Sequence, residues 1–390
     1  SVSSSSYKMV SGASLLGRLP NFQWYWNSSA NPWSSDTHSR DWSKYSDVEN
    51  EIIEEGFTAK NEEVEVDGNY IISLKLLIQY NKLDTNKQRP IKRVIMDPNR
   101  RFEHLREERF SLPIASTATM LISTTGDDDN AITLKVTRDG PNFPDTYRHH
   151  IRNYDYSCSK NVADIVEEAA LGILKEGNDI GKTCEAQWLA KELRNVKHFG
   201  DNIKLESGSR YPDYEKIPDE IGRKCVFLYT KECFWYKLIN STLRSIMYTV
   251  TPERLKTLGP FSFLLTNYLK EKTTTDIKTV YRGLILTNEQ LQEYIDNRLL
   301  CFTAFTSTSV NRKKAAQFGN TLLIINLDVV CHYTSGVILA RGANISSLSD
   351  FPDEEEFLIW PGTAFSFGHY EYDDAHHKHL IYITAVDTAP

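Results

Sequence analysis

Three stretches in the second half of the chain carry residue types that can do chemistry together. Tyr281-Arg282-Gly283 reads as part of a strand. A buried arginine there needs an anionic partner, and the adjacent glycine lets a ligand approach main-chain atoms. Phe305-Thr-Ser307-Thr308-Ser309 reads as a strand that offers hydroxyls on alternate faces. Asp353-Glu354-Glu355-Glu356 runs directly into Phe357-Leu-Ile-Trp360. If Glu356 begins a strand, alternation predicts that Glu354 and Glu356 point the same way. Two carboxylates held that close are costly unless a function or a cation requires them. Taken singly, each stretch has an ordinary reading as a structural salt bridge, a common hydroxyl run or a solvated acidic loop.

Other candidates fail on spacing. Gly177-Asn-Asp-Ile-Gly181-Lys-Thr has three residues between its glycines where a phosphate loop needs four, and it follows a helix, so it reads as a helix end and turn. His369, His376, His377 and His379 crowd the C-terminus without an obvious further ligand, and read as a solvated strand end. Asp127, Asp128 and Asp129 lack the calcium-loop spacing and read as a turn. No metal is expected.

The elements that must position these residues follow from length and pattern. The 390 residues favour two domains. With 45 basic and 52 acidic residues, the net charge of −7 argues against a protein held mainly by nucleic acid or anionic lipid. No apolar run approaches the roughly 18 residues of a membrane span. Six cysteines without a C-x-x-C pair point to a reducing compartment, cytoplasmic or nuclear. The opening Ser1-Val-Ser-Ser-Ser-Ser has no initiator Met and no apolar h-region, which points to a trimmed start and leaves a secreted origin open.

A Ser-rich tail (1–18) precedes a block (19–96) that holds Trp24, Trp26, Trp33 and Trp42, four of the seven tryptophans. Within it Val64–Val66 and Tyr70–Ile78 read as a hairpin around Asp67-Gly68-Asn69. Residues 97–157 form a charged connection with one expected hairpin, Thr117–Thr124 with Ala131–Val136. From 158 onward helices come first: one after a capping Ser159 or Asn161 and closed by Gly177, one around Glu185–Val196, one with Thr230 as N-cap running to Ile246, and a short one over Phe261–Leu269. Strands follow at Thr279–Leu284, Thr303–Ser309, Leu322–Asp328, Val337–Leu339, Glu356–Ile359, Ala364–Tyr372 and Leu380–Val386. Helices then strands give an α+β class.

In this order and spacing, Arg282, Ser307-x-Ser309 and Glu354-x-Glu356 resemble the signature of the arginine-specific mono-ADP-ribosyltransferases, over about Cys158 to Pro390. The segment Tyr229–Arg244 looks like that family's helix before the arginine strand. The resemblance implies a split β-sheet core after N-terminal helices, with NAD as substrate. It further implies that Arg282 holds the NAD pyrophosphate and Gly283 meets the nicotinamide amide. Ser307 would orient the ribose and Glu356, Phe318 would stack near the nicotinamide, and Phe351 would clamp the acceptor. Glu356 would be the catalytic carboxylate, and Glu354 would take a proton from a target arginine. A glutamate at 354, where glutamine would suit another acceptor or water, is what points to arginine.

The tryptophan block is similar to the WWE domain, a half-barrel around one helix, through Trp26, Trp42, Tyr45, Glu51, Tyr70, Gln79 and Arg89 to Arg93. Ser73 departs from that family's usual Asp. The resemblance implies a site for ADP-ribose or an adenine nucleotide built from Trp42, Tyr70, Gln79 and Arg89. The competing readings are NAD glycohydrolysis in the same site, and a chain whose second half is inactive and whose first half only binds ADP-ribose.

Overall fold

The computed structural model describes residues 22–33, 41–96, 132–133, 135–137, 140–153, 160–205, 215–245, 249–273, 276–297, 299–328, 341–349 and 351–386. The Ser-rich tail, the strand expected at Thr117–Thr124, the aspartate turn at 127–129, the cap candidate Ser159 and the strand expected at Val337–Leu339 lie outside them.

Strands β1 (Phe22–Asn27) and β2 (Trp42–Lys44) lead into helix α1 (Asp47–Thr58). Ser46 starts α1 with a capping box: its hydroxyl accepts from the Glu49 amide at 3.1 Å while the Glu49 carboxylate accepts from the Ser46 amide. Strands β3 (Glu63–Val66), β4 (Tyr70–Ser73), β5 (Ile78–Asn81) and β6 (Gln88–Ile95) complete an antiparallel sheet in the order β2-β1-β6-β5-β4-β3. Alternation sends Trp24, Ile72 and Ile91 inward against Ile53 of α1, with Tyr45 and Val66 closing the core. The expected hairpin forms, with Gly68 and Asn69 at φ 76° and 64°. Its second strand is shorter than expected, because Leu74–Leu77 turns back on itself with Leu77 at φ 54°, leaving Leu76 and Leu77 exposed.

Short strands β7 (Ile132–Thr133), β8 (Lys135–Thr137) and β9 (Gly140–Asn142) precede α2 (Phe143–Asn153), a helix that the reading of 97–157 as a connection did not expect. Then come α3 (Val162–Asp179), α4 (Thr183–Arg194), α5 (Asp219–Thr230), α6 (Phe234–Ser245), β10 (Thr249–Val250) and α7 (Pro252–Glu271). Asn161 caps α3, and the helix runs past Gly177, which lies inside it, to a turn at Gly181 with φ 73°. Gly177–Thr183 is thus a helix end and turn. The helix expected from Thr230 is α6, which starts only at Phe234: Thr230 ends α5, a helix not foreseen, and Lys231–Cys233 separate the two. The short helix expected at Phe261 is the second half of α7, which continues through Pro260.

The remaining elements are β11 (Thr279–Leu284), α8 (Asn288–Asp296), β12 (Leu299–Phe302), β13 (Thr306–Ser309), α9 (Arg312–Ala315), β14 (Thr321–Asn326), β15 (Gly342–Asn344), β16 (Glu356–Ile359), β17 (Thr363–Asp373) and β18 (Lys378–Ala385). They form one sheet in the order β12-β17-β18-β14-β11-β13-β16-β15, antiparallel except for the β14–β18 pair. The molecule mixes helices and sheets as expected, and within this sheet β12 and β15 are the strands not foreseen. Among the described residues, no helix is long and apolar enough to cross a membrane.

The N-terminal sheet and the helical layer meet through polar contacts. Asp67, in the β3–β4 turn, accepts from the amides of Cys184 and Glu185 at 2.7 and 3.1 Å and so caps α4 from another part of the chain. Along α1, Glu51 pairs with the buried Lys231 at 2.7 Å, and Glu55 accepts from the Trp188 indole at 2.8 Å. Glu49, Asp67 and Glu185 bring carboxylate oxygens within 4.8 Å of one another. Lys182 already supplies a cation there, 2.9 Å from Glu185 and 3.8 Å from Glu49.

Candidate functional site

Strand β16 divides two cores. Phe357 and Ile359 enter the core beneath the sheet with Val280, Leu323 and Phe365, whereas Leu358 and Trp360 enter the core of the helical layer. A strand with both faces buried also buries its first residue, and Glu356 has no exposed surface. Register places Ser309 opposite Glu356 and Ser307 opposite Leu358, so both serines share the Glu356 face. Ser309 therefore stands directly beside Glu356, with Ser307, the serine expected from the sequence, one pair further along the same face.

Arg282 lies on the same face of β11 as Val280 and Leu284, is 2 % exposed, and donates from Nη1 to the Ser307 carbonyl at 2.6 Å. Strand β11 pairs with β14 over its whole length, but among the described residues its register with β13 is Tyr281 with Ser309 alone. The strands carrying Arg282-Gly283 and Ser307 thus part where those residues stand. This is the split that the sequence resemblance implied.

Gly283 has a packing reason beyond ligand approach. A Cβ there would stand 2.4 Å from the Ala315 carbonyl oxygen and 2.6 Å from Phe318 Cβ. The α9–Phe318 segment is pressed against β11, and Lys378 holds it by donating to the carbonyls of Phe318 and Gly319 at 2.9 and 2.6 Å. Burial lowers the Lys378 ammonium below its ordinary range. Gly283→Ala is expected to destabilise the chain by about 1–3 kcal/mol, the usual cost of overpacking against unyielding main chain. Thermal unfolding checks this, and an unchanged midpoint would mean that the segment yields freely.

Glu354 is not placed by strand alternation. It ends a turn of 3-10 helix (Pro352–Glu354) whose next residue, Glu355, has φ 49°. Glu354 is nonetheless 3 % exposed, and its carbonyl accepts from the Ser309 hydroxyl at 2.9 Å, so Ser309 joins the two glutamates' backbones. Asn311 and Lys314 donate to the Glu355 carboxylate at 3.1 and 2.7 Å, and Lys314 also donates to the Asp353 carbonyl. The Lys314 hydrogen bond holds the Glu355 carboxyl below its usual range. Phe351 is half-buried at the head of this turn. The sequence reading passed over Ser309 as an anchor, and over Asn311, Lys314 and Lys378. Asn311 before Arg-Lys-Lys was a readable cap signal: it accepts from the amides of Lys313 and Lys314.

In the N-terminal sheet, register puts Tyr70, Gln79 and Arg89 on the inward face of β4, β5 and β6 with Ile72, Ile91 and Trp26. Trp42 falls elsewhere. It pairs with Asn27 on the opposite face, where Lys92 lies 4.1 Å over its ring. Of the expected four, Tyr70, Gln79 and Arg89 share this face and Trp42 does not, because β2 registers one residue away from the phase that would bring Trp42 inward. Tyr45, just past β2, is the inward aromatic, donating to Gln79 Oε1 at 2.7 Å, and burial raises its phenol well above the ordinary range. Arg89 lies 5.6 Å over Trp26, and its Nη1 donates to the carbonyls of Asn27 and Ser29 at 2.9 and 2.7 Å. At the C-terminus, His369 stacks on Tyr382, and His376 pairs with Asp373 on the exposed hairpin.

Residues 219–385 match the family model described as NAD:arginine ADP-ribosyltransferase, and residues 22–93 match that of the WWE domain. No curated protein matches the chain. Among solved structures, the chain is similar to the ADP-ribosyltransferase HopU1 of Pseudomonas syringae pv. Tomato DC3000, at 20% identity and TM-score 0.35, over 43% of this chain and 77% of that one. It is similar also to the eucaryotic mono-ADP-ribosyltransferase ART2.2, at 22% identity and TM-score 0.35, over 56% and 84%. A third is the type III effector XopAI from Xanthomonas axonopodis pv. citri, at 16% identity and TM-score 0.37, over 62% and 96%.

Proposed function

We propose that this chain, which carries an ADP-ribosyltransferase domain and a WWE domain, transfers ADP-ribose from NAD to arginine side chains of proteins. The observation that carries this reading is the buried Ser307–Ser309–Glu356 face beside the Arg282 strand, with Glu354 one turn away. The donor set fits NAD: a guanidinium for the pyrophosphate, a serine hydroxyl for the ribose, and a carboxylate for the charge of bond cleavage.

Cleavage breaks the bond between ribose C1′ and the nicotinamide nitrogen. The electron pair leaves with nicotinamide, and the ribose becomes oxocarbenium-like, the charge type that paired carboxylates stabilise in glycosidases. Glu356, bonded to a ribose hydroxyl, gains attraction as that charge develops, so it lowers the barrier selectively. An arginine nitrogen then bonds to C1′. Its guanidinium, with a pKa above ~12, becomes a nucleophile only as a proton leaves, and Glu354 accepts that proton. Phe318 borders the nicotinamide end and Phe351 the acceptor. Incubating the full chain with NAD and an arginine mimic tests this. The reading expects nicotinamide and an ADP-ribosylated guanidine in equal amounts, and nicotinamide with free ADP-ribose would make the chain a glycohydrolase.

The same reading assigns residues 19–96 to the WWE domain, 97–157 to a connection and 158–390 to the transferase domain, in a cytoplasmic or nuclear protein. The inward face of Tyr45, Tyr70, Gln79 and Arg89 takes ADP-ribose or an adenine nucleotide. Two of the five Arg89 donors are spent on carbonyls, which leaves others for a phosphate. In the full chain silenced by Glu356→Gln, Arg89→Ala is expected to weaken ADP-ribose, iso-ADP-ribose or ATP by ~1.5–3 kcal/mol. Calorimetric titration decides it. Equal affinity with and without Arg89 would leave this face as packing only.

A further inference from the structure

We propose that Lys314 is a positioning residue for the paired glutamates: from helix α9 it latches the Asp353–Glu356 turn, so that Glu354 and Glu356 are presented together. This rests on the catalytic reading above and adds a residue to it. The turn needs a latch. Glu355 sits in the left-handed region at φ 49°, a conformation that is costly for a residue with a side chain and persists where its surroundings over-determine it. Besides the turn's own main-chain bonds and the Ile345 amide on the Glu356 carbonyl at 3.0 Å, a cluster of determinants comes from residues 309–314. The Val310 amide donates to the Glu355 carbonyl at 3.1 Å, the Ser309 hydroxyl to the Glu354 carbonyl at 2.9 Å, and Asn311 to the Glu355 carboxylate at 3.1 Å. Lys314 grips two points on either side of Glu354, the Glu355 carboxylate at 2.7 Å and the Asp353 carbonyl. The middle residue of Glu-Glu-Glu therefore faces away from the chemistry and serves as the handle by which the outer two are held.

Magnitudes separate this role from ordinary stabilisation. The Lys314 and Glu355 side chains are 27% and 39% exposed. An ion pair so exposed adds little to global stability. Misplacing a reacting group by about 1 Å, in contrast, can cost ~10²-fold in rate. Removing the latch should therefore slow catalysis far more than it loosens the fold.

The test uses the full chain with Lys314→Met and Lys314→Arg. In Lys314→Met, kcat for nicotinamide release is expected to fall about 10–100-fold, with KM for NAD and the unfolding midpoint nearly unchanged, because Arg282, Gly283 and the cores are untouched. Lys314→Arg keeps a cationic donor and should recover most of the rate. Amide exchange across residues 351–356, measured without NAD, should quicken in Lys314→Met and not in Lys314→Arg. A kcat within twofold of wild type in Lys314→Met would overturn the proposal, as would unchanged exchange in the turn. A wild-type chain that fails to cleave NAD would refute the catalytic reading, and exchange would still judge the latch.

Discussion

Glu356→Gln is expected to reduce both arginine modification and nicotinamide release by ~10²–10³ in kcat, the usual loss when one preorganised electrostatic contact is removed from a developing charge. The substitution keeps shape and hydrogen-bonding capacity while deleting the charge. The site amplifies the effect: Glu356 has no exposed surface, so little water is at hand to replace the lost carboxylate. Strand β16 is anchored on both faces by Phe357, Leu358 and Ile359, so the fold should survive. Steady-state nicotinamide release, with circular dichroism as the folding control, checks this. Rates within a few-fold of wild type would assign the catalytic charge to another residue.

Glu354→Gln should separate the two half-reactions. Glu354 lies in the 3-10 turn, outside the β13–β16 pairing that sets Glu356 beside the serines, so removing its charge should leave glycosidic cleavage within a few-fold of wild type. Arginine modification should fall ~10²–10⁴-fold, the range typical of a positioned general base. Measuring nicotinamide and ADP-ribosylated guanidine in one reaction gives both numbers. Equal loss of the two would make Glu354 a residue that positions NAD.

How far the sequence carried can be traced residue by residue. Glu356 was legible as a buried strand start because Phe-Leu-Ile-Trp leaves no polar position on either face of the strand that follows. Arg282 was legible as the one charge on a short strand with Val280 and Leu284, and Ser307 as part of the hydroxyl run Thr306–Ser309. The placing of Glu354 was not, since nothing in Asp-Glu-Glu-Glu marks Glu355 as left-handed; that conformation is imposed by Lys314 and Asn311 from another element. Trp42 failed for a related reason. A one-residue change of phase moves a side chain to the other face of a sheet, and the phase of β2 is set by its partner β1. Local chemistry also misled at Leu74–Leu77, where four residues that read as strand make a turn, and at Phe261–Leu269, which reads as a short helix and is the second half of α7, continuous through Pro260. The domain seam was hidden altogether, because Asp67 and Glu185 are 118 positions apart and each looks like an exposed acid.

The central claim is transfer to arginine, and one measurement addresses it most directly: the full chain incubated with NAD labelled in its adenylate half, with and without a guanidino acceptor, with all labelled products resolved. The account predicts that the acceptor accelerates nicotinamide release, and that the label moves onto the guanidine in step with it. Label recovered only as free ADP-ribose at a rate indifferent to the acceptor, or NAD left intact, would contradict it.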